Sequence, residues 1–386
     1  MKRKVWLFIS LVLLAGLFTT AFSPAQAGSE EQWIQVPFPA PDNTSIHALE
    51  TFKENLYAAV EDFSQGLSIW RMVKDGQWDR VTEYGFGNAD LSDVMDMIQF
   101  NGMLYASSGD YYMRTTGQMW RSADGNNWEA VTVDAFGKAG LYNIGLFAIF
   151  QDQLYVDISA GSGSMEIWRS ASGDPGTWEP VVTAAEFGDG FASAITGFTQ
   201  FKGALYAAIE TDWLHPVRLW RTVDGIHWTV VSDPVLMGPF NVSPGGMEVF
   251  KDYLYLGMLH CDFINSTACL GAQIYRSKDG LHWEAVISSS DDWKNIKVDS
   301  LFQFEGQLYA GIWNEDWVNY EYLPGSGVQI WRTSDGMNWT QINEGGFGDP
   351  NNWATHLSVD VAAYKGELYY GTLHIMSGQI WKLSKK

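Results

Sequence analysis

The chain has 386 residues, more than one mid-sized domain usually needs. Hydrophobic residues make up 46% and charged residues 18%, which excludes a disordered chain. Lys and Arg number 24 against 45 Asp and Glu, and the net charge of −21 excludes nucleic acid and anionic lipid, since binding either needs a basic surface.

The first element in chain order is an export signal. Lys2, Arg3 and Lys4 form a basic start, an apolar run extends from Val5 to about Phe22, and Ser23-Pro24-Ala25-Gln26-Ala27 supplies a small-residue cleavage site. This predicts a secretory signal peptide over 1–27. The mature chain is then expected to be secreted or extracytoplasmic, with no membrane association after signal cleavage. No other stretch approaches the roughly 18 uninterrupted apolar residues of a membrane span. Cleavage removes three basic residues and takes the net charge from −21 to −24.

A repeat occupies nearly everything that follows. Leu-Tyr pairs recur with their tyrosines at Tyr57, Tyr105, Tyr155, Tyr206, Tyr255, Tyr309 and Tyr369, at spacings of 48, 50, 51, 49, 54 and 60 residues. An aromatic stands four residues before each Leu: Phe52, Phe100, Phe150, Phe201, Phe250, Phe304 and Tyr364. After each pair comes an aromatic followed by a basic residue: Trp70-Arg71, Trp120-Arg121, Trp168-Arg169, Trp220-Arg221, Tyr275-Arg276, Trp331-Arg332 and Trp381-Lys382. Six units then continue with Trp-x-x-Val or Ile, beginning at Trp78, Trp128, Trp178, Trp228, Trp283 and Trp339. Seven units at a period near 50 point to a propeller or solenoid.

Each unit reads as four antiparallel strands. Strand 1 ends at the Phe, strand 2 holds Leu-Tyr, and strand 3 holds the aromatic-Arg pair. A tight Asp-Gly turn, as at Asp124-Gly125 or Asp279-Gly280, leads into strand 4. Strand 2 is apolar on both faces, as in Leu205-Tyr206-Ala207-Ala208-Ile209, which suits a sheet packed between two neighbours. The seventh unit ends after strand 3, and Gln32-Trp33-Ile34-Gln35-Val36 is a strand 4 without a unit of its own. The expected fold is all-β: a seven-bladed β-propeller of four-stranded antiparallel blades, one domain over 28–386, closed by the N-terminal strand completing the last blade.

The segments 121–128 (Arg-Ser-Ala-Asp-Gly-Asn-Asn-Trp), 276–283 (Arg-Ser-Lys-Asp-Gly-Leu-His-Trp) and 332–339 (Arg-Thr-Ser-Asp-Gly-Met-Asn-Trp) resemble the Asp-box (BNR) repeats of sialidase-like and kelch-like propellers. Their Asp-to-Trp spacing is one residue shorter than the usual box, and 172–178 departs further. The resemblance implies a structural turn on the face opposite the ligand, with no activity of its own. Sialidase chemistry by that analogy needs an arginine triad. Outside the repeat and signal the arginines are Arg80, Arg114 and Arg218, and only the last two lie on loops of the ligand side, so no triad is expected.

With the repeat subtracted, five tryptophans remain on 2–3 or 4–1 connections: Trp213, Trp293, Trp313, Trp317 and Trp353. The 2–3 and 4–1 loops share one face, and the longest 2–3 loops belong to units 5 and 6. Polar groups near the ends of strand 2 gather on that face: Glu61, Asp62, Asp110, Glu210, Asp212, His260, Asp262, Glu315, Asp316 and His374. Indole rings stack on sugar faces and carboxylates bond hydroxyls, so the ligand-binding candidates are Trp213, Trp293, Trp313, Trp317, Trp353, Glu210, Asp212, His260, Asp316 and His374. Asp96, Ser300 and Asp360 stand at inward positions of strand 1, where a water- or ion-filled channel would satisfy them. Cys261 and Cys269 are expected to form a disulfide in an oxidising compartment. No metal or other cofactor is expected; calcium in the channel or at Asp291-Asp292 would have no motif behind it.

No G-x-S-x-G elbow, Walker loop or H-E-x-x-H is present. The expected function is therefore an exported, non-catalytic binding module for glycans or an extracellular protein. The alternative is a glycoside hydrolase or lyase acting on extracellular polysaccharide, which needs a pair of carboxylates; Glu210, Asp212, Glu315 and Asp316 are the nearest candidates.

Overall fold

The computed structural model describes residues 31–39, 45–110, 112–132, 134–138, 140–161, 163–188, 190–212, 215–231, 233–262, 268–288, 294–314, 316–318, 321–323, 325–354, 360–374 and 377–385. The expected signal peptide lies outside them. Among them, no helix is long and apolar enough to cross a membrane.

The described chain is all-β, and its strands pair antiparallel in the predicted order. In unit 1 the order is Ser45–Phe52, Asn55–Glu61, Ser68–Lys74, Gln77–Arg80. Unit 5 runs Asn241–Phe250, Tyr253–Asp262, Gln273–Ser277, Trp283–Ser288. The strand Glu31–Val36 pairs with Ile380–Lys385, which pairs with Glu367–Gly371 and so with Val361–Tyr364. Single pairs join neighbouring units: Asn143 opposite Gly109, and Leu259 opposite Lys297.

The core lies between successive units. Ala48, Tyr57 and Ile69 of unit 1 cluster with Val94, Met97 and Leu104 of unit 2. Unit 4 meets unit 5 through Phe201, Tyr206 and Leu219 against Met247, Leu254 and Tyr275. A corresponding cluster sets Val36, Tyr369 and Ile380 against Ile46, Leu56 and Met72. Alternation along strand 2 serves both neighbours, and each buried large side chain contributes roughly 1.5–3 kcal/mol.

The Asp-Gly turns explain their own sequence. Ser122 Oγ accepts the Gly125 N–H at 2.8 Å, and Asp124 Oδ1 accepts the Asn126 and Asn127 N–H groups, each at 2.8 Å. The same pattern recurs at Thr222/Asp224, Ser277/Asp279 and Thr333/Asp335. From the neighbouring unit, Arg121 reaches the Asp174 carboxylate at 2.6 Å, and Lys382 reaches Asp75 at 2.9 Å in the corresponding way.

Candidate functional site

Strand 1 carries a register shift in several units, and its freed backbone groups decide where the buried acids go. In unit 3 the shift falls between Ile144 and Phe147. The Leu146 N–H donates to Asp157 Oδ1 at 2.7 Å, and the Phe147 N–H donates to Asp96 Oδ2 at 2.8 Å. Ser107 Oγ donates to Gly145 O at 2.7 Å. Asp96, expected to face a water- or ion-filled channel, accepts the Phe147 hydrogen bond from the next unit. Burial pushes the Asp157 carboxyl up to about 7, and raises Asp96 strongly. Ser300 and Asp360 are fully buried, and the Tyr370 hydroxyl is raised well above its ordinary range by burial and by Asp360. Among the described residues no group of three or more His, Cys, Asp or Glu is placed to hold a metal ion, and Asp291-Asp292 lie outside those residues.

The ends of strands 1 and 2 in units 4 to 6 form a second polar set. Lys297 Nζ lies 3.2 Å from Asp299 Oδ1, with both side chains buried. Burial raises Asp299 to about 6; Lys297 opposes that rise and Glu210 adds to it. Glu210 ends strand 2 of unit 4, is half-buried and pairs with Ala194. Unit 5 puts Pro244-Gly245-Gly246 between them, and a Cβ on Gly245 would lie 1.8 Å from Val298 O. Only glycine lets unit 5 come this close to the unit 6 strand that carries Asp299.

Lys297 sits opposite both Leu259 of unit 5 and Trp313 of unit 6. Trp313 therefore belongs to the end of strand 2 rather than to a connection. It packs on Val242, Leu259, Ile296 and the Cys261–Cys269 disulfide. The disulfide forms as the sequence predicts. His260 lies beside it, half-buried, with Nδ1 2.8 Å from Asn241 Oδ1 and Phe240 edge-on at 5.9 Å. Desolvation lowers His260 to about 4.

The other candidates are spread around the same face. Asp212 Oδ1 is 2.7 Å from His215 Nδ1, and Phe191 stacks on that imidazole at 3.5 Å. His374 is buried between Asp349, at 3.3 Å, and the Ser377 N–H, at 3.1 Å, which ties two loops together. Trp353 is half-buried and bridged to Leu373. Trp317 and Asp316 belong to the strand Asp316–Val318, paired with Glu321–Leu323. Trp213, Trp293 and Glu315 lie outside the described residues.

Sequence reading missed Asp157, Asp299, Lys297 and Asn241. A signal existed for the first: Asp157 interrupts Leu154-Tyr155-Val156-Asp157-Ile158, a strand whose other positions are apolar. Asp299 and Lys297 sit two apart in a strand that reads as an edge of the repeat, and nothing local marks them.

No protein-family model matches the chain, and no curated protein matches it. Solved structures do. A polysaccharide lyase, Uly1, is similar with a TM-score of 0.54 at 10% identity, over 91% of this chain and 92% of that one. A puromycin-hydrolysing peptidase of Mycobacterium tuberculosis has a TM-score of 0.49 at 12% identity, over 91% of this chain but 53% of that one. The GH93 α-L-arabinofuranosidase of Fusarium graminearum, solved with arabinobiose, has a TM-score of 0.46 at 12% identity, over 74% of this chain and 94% of that one. At these identities the likeness shows the fold, a β-propeller scaffold. It also corrects the expectation of a non-catalytic binding module. A polysaccharide lyase overlays 91% of this chain, and burial raises the Asp299 carboxyl on this face.

Proposed function

We propose that this protein is an exported carbohydrate-active enzyme, a glycoside hydrolase or lyase acting on extracellular polysaccharide. Its scaffold in this reading is a closed, seven-bladed propeller whose Asp-Gly turns are Asp-box-like. Pairing of Glu31–Val36 with the last strand supports closure, as do the Lys382–Asp75 ion pair and the cluster uniting Val36 with Ile46. The disulfide and the signal-like leader support export.

The observation that carries the activity is the set Glu210, Asp299 and Lys297. A carboxyl raised to about 6 can hold a proton near neutral pH and give it to a leaving oxygen. A second carboxylate, Glu210, stands close enough to raise it further. A pair of carboxyl groups is what glycosidic cleavage requires. Trp313 and Trp353 offer the stacking surfaces and His260 a polar contact, with glycan the partner of choice.

The test is turnover of a polysaccharide panel, reading new reducing ends alongside the ultraviolet absorbance of unsaturated products. Glu210→Gln and Asp299→Asn should each lower kcat by at least about a hundredfold, the scale of an acid–base contribution, with the fold retained. Full activity in both variants would sink the assignment.

A further inference from the structure

Unit 5 breaks the repeat where it matters to the mouth. It has Tyr275 where the other units have Trp, and the Tyr275 hydroxyl is buried. That hydroxyl donates to Gln273 Oε1 and accepts from Asn241 Nδ2 at 3.0 Å. Asn241 Nδ2 also faces the carbonyl oxygens of Val235, at 3.2 Å, and Leu236, at 3.0 Å. Carbonyls only accept, so they set which way the amide points. Asn241 Oδ1 must then be the atom facing His260, and His260 Nδ1 must carry the proton. The neutral ring is left with its lone pair on Nε2, which takes no partner among the described residues.

Lys297, which sits opposite Leu259 next to His260, is already engaged: its Nζ lies 3.2 Å from Asp299 Oδ1. Arg218 and Lys294 are engaged as well. A carboxylate or sulfate sugar would meet Glu210 and Asp262 near a neutral imidazole, and would have to displace Asp299 from Lys297 to gain a cation. Transferring an anion into such a site without a partner is costly.

We propose that this site takes neutral, hydroxyl-rich glycans, with His260 Nε2 accepting a hydrogen bond from a sugar hydroxyl, and that it excludes polyuronates. Asn241 and Tyr275 are positioning residues that keep the imidazole in its acceptor tautomer. The proposal rests on the enzyme reading above and narrows it. Elimination by a lyase needs an acidic sugar, whose carboxylate stabilises the carbanion once neutralised; cleavage of a neutral glycan leaves hydrolysis, in which water adds across the glycosidic bond. The low basicity of His260 agrees with an acceptor role, since a general base works best with its pKa near the working pH.

The experiment uses the full secreted chain. Calorimetric Kd values are measured for arabinan, galactan and xylan oligosaccharides and for polygalacturonate and alginate oligosaccharides, with reducing ends and unsaturated products read in parallel. The expected result is binding of at least one neutral series and none of the uronates. His260→Ala should weaken that binding about tenfold, and His260→Gln, which keeps an acceptor, should recover most of it. Comparable uronate binding, unsaturated products, no neutral binding, or an unchanged Kd in a folded His260→Ala variant would overturn the proposal. Neutral binding with no reducing ends released would overturn the enzyme reading and leave the ligand class standing. The wild-type comparison of the two glycan classes decides the matter even if His260→Ala fails to fold.

Discussion

Two residues of the repeat interlock across five of the boundaries between successive units. A Cβ built on Gly125 would lie 1.9 Å from the Tyr57 hydroxyl, and Gly173, Gly225, Gly280 and Gly336 meet Tyr105, Tyr155, Tyr206 and Tyr255 at 2.0 to 2.2 Å. Gly125 also has φ +76°, so it is required by space and by backbone together. Gly125→Ala is expected to cost about 3 kcal/mol, read as a fall in denaturant midpoint, because the backbone strain and the clash add. A loss below about 1 kcal/mol would mean that the turn can move away from Tyr57. Periodicity alone made Tyr and Gly visible as repeat residues. That they touch, one unit apart, was not legible, since 68 residues of chain separate Tyr57 from Gly125.

At the scale of the element, the 1–2 turns are tight and left-handed. Asn101-Gly102, Lys202-Gly203, Glu305-Gly306 and Lys365-Gly366 place Gly second, whereas Lys53-Glu54, Gln151-Asp152 and Lys251-Asp252 hold two non-glycine residues at positive φ. This is the turn that matches strand twist, and it suits glycine at its second position. Asp152, at φ +59°, is therefore strained, and Asp152→Gly should raise stability by up to about 1 kcal/mol, visible as a higher Tm. A lower Tm would show that Asp152 makes a contact worth more than its strain. Landmark aromatics located all these strands in the sequence. The shifts in strand 1 were not visible, because a bulge needs only one extra residue and the loops vary more than that. Asp96 and Asp157 consequently read as a channel feature and as nothing, although both cap amides that the shift exposes.

For the whole molecule, the buried acids and the turn aspartates act in opposite directions with pH. Turn amides hold Asp124 below the usual carboxylate range, the His227 and His282 side chains, ahead of the amides, do so for Asp224 and Asp279, and the Asn338 hydrogen bonds outweigh burial at Asp335, so their stabilisation is lost in acid. Asp157 is raised from 3.8 to about 7, so the folded chain keeps a proton that the unfolded chain gives up. Its contribution is complete below about pH 4 and is lost as pH rises through about 7. His47, buried and lowered, works the other way over part of that window, so the clean readout is a difference between two proteins. Asp157→Asn mimics the protonated carboxyl. It should match wild type in Tm below about pH 4, exceed it by a margin that grows between about pH 4 and pH 7, and keep that margin above pH 7. A gap that does not change with pH would show that Asp157 is ionised in the folded chain.

The sequence by itself determined the strands, their order within each unit, the disulfide and the partner of the first strand, because each rests on local periodicity or on a pattern that recurs seven times. It also put Glu210, His260 and Trp313 at the same end of their units, where each ends or nearly ends a second strand, since antiparallel strands alternate direction. Only the tertiary structure decided which polar groups meet. Asp299 is shifted because unit 5 narrows to glycine beside it, and His260 has its tautomer because Asn241 is oriented by two carbonyls and Tyr275. Protonation depends on burial and on neighbours brought from other units, and repeat spacing holds no record of either.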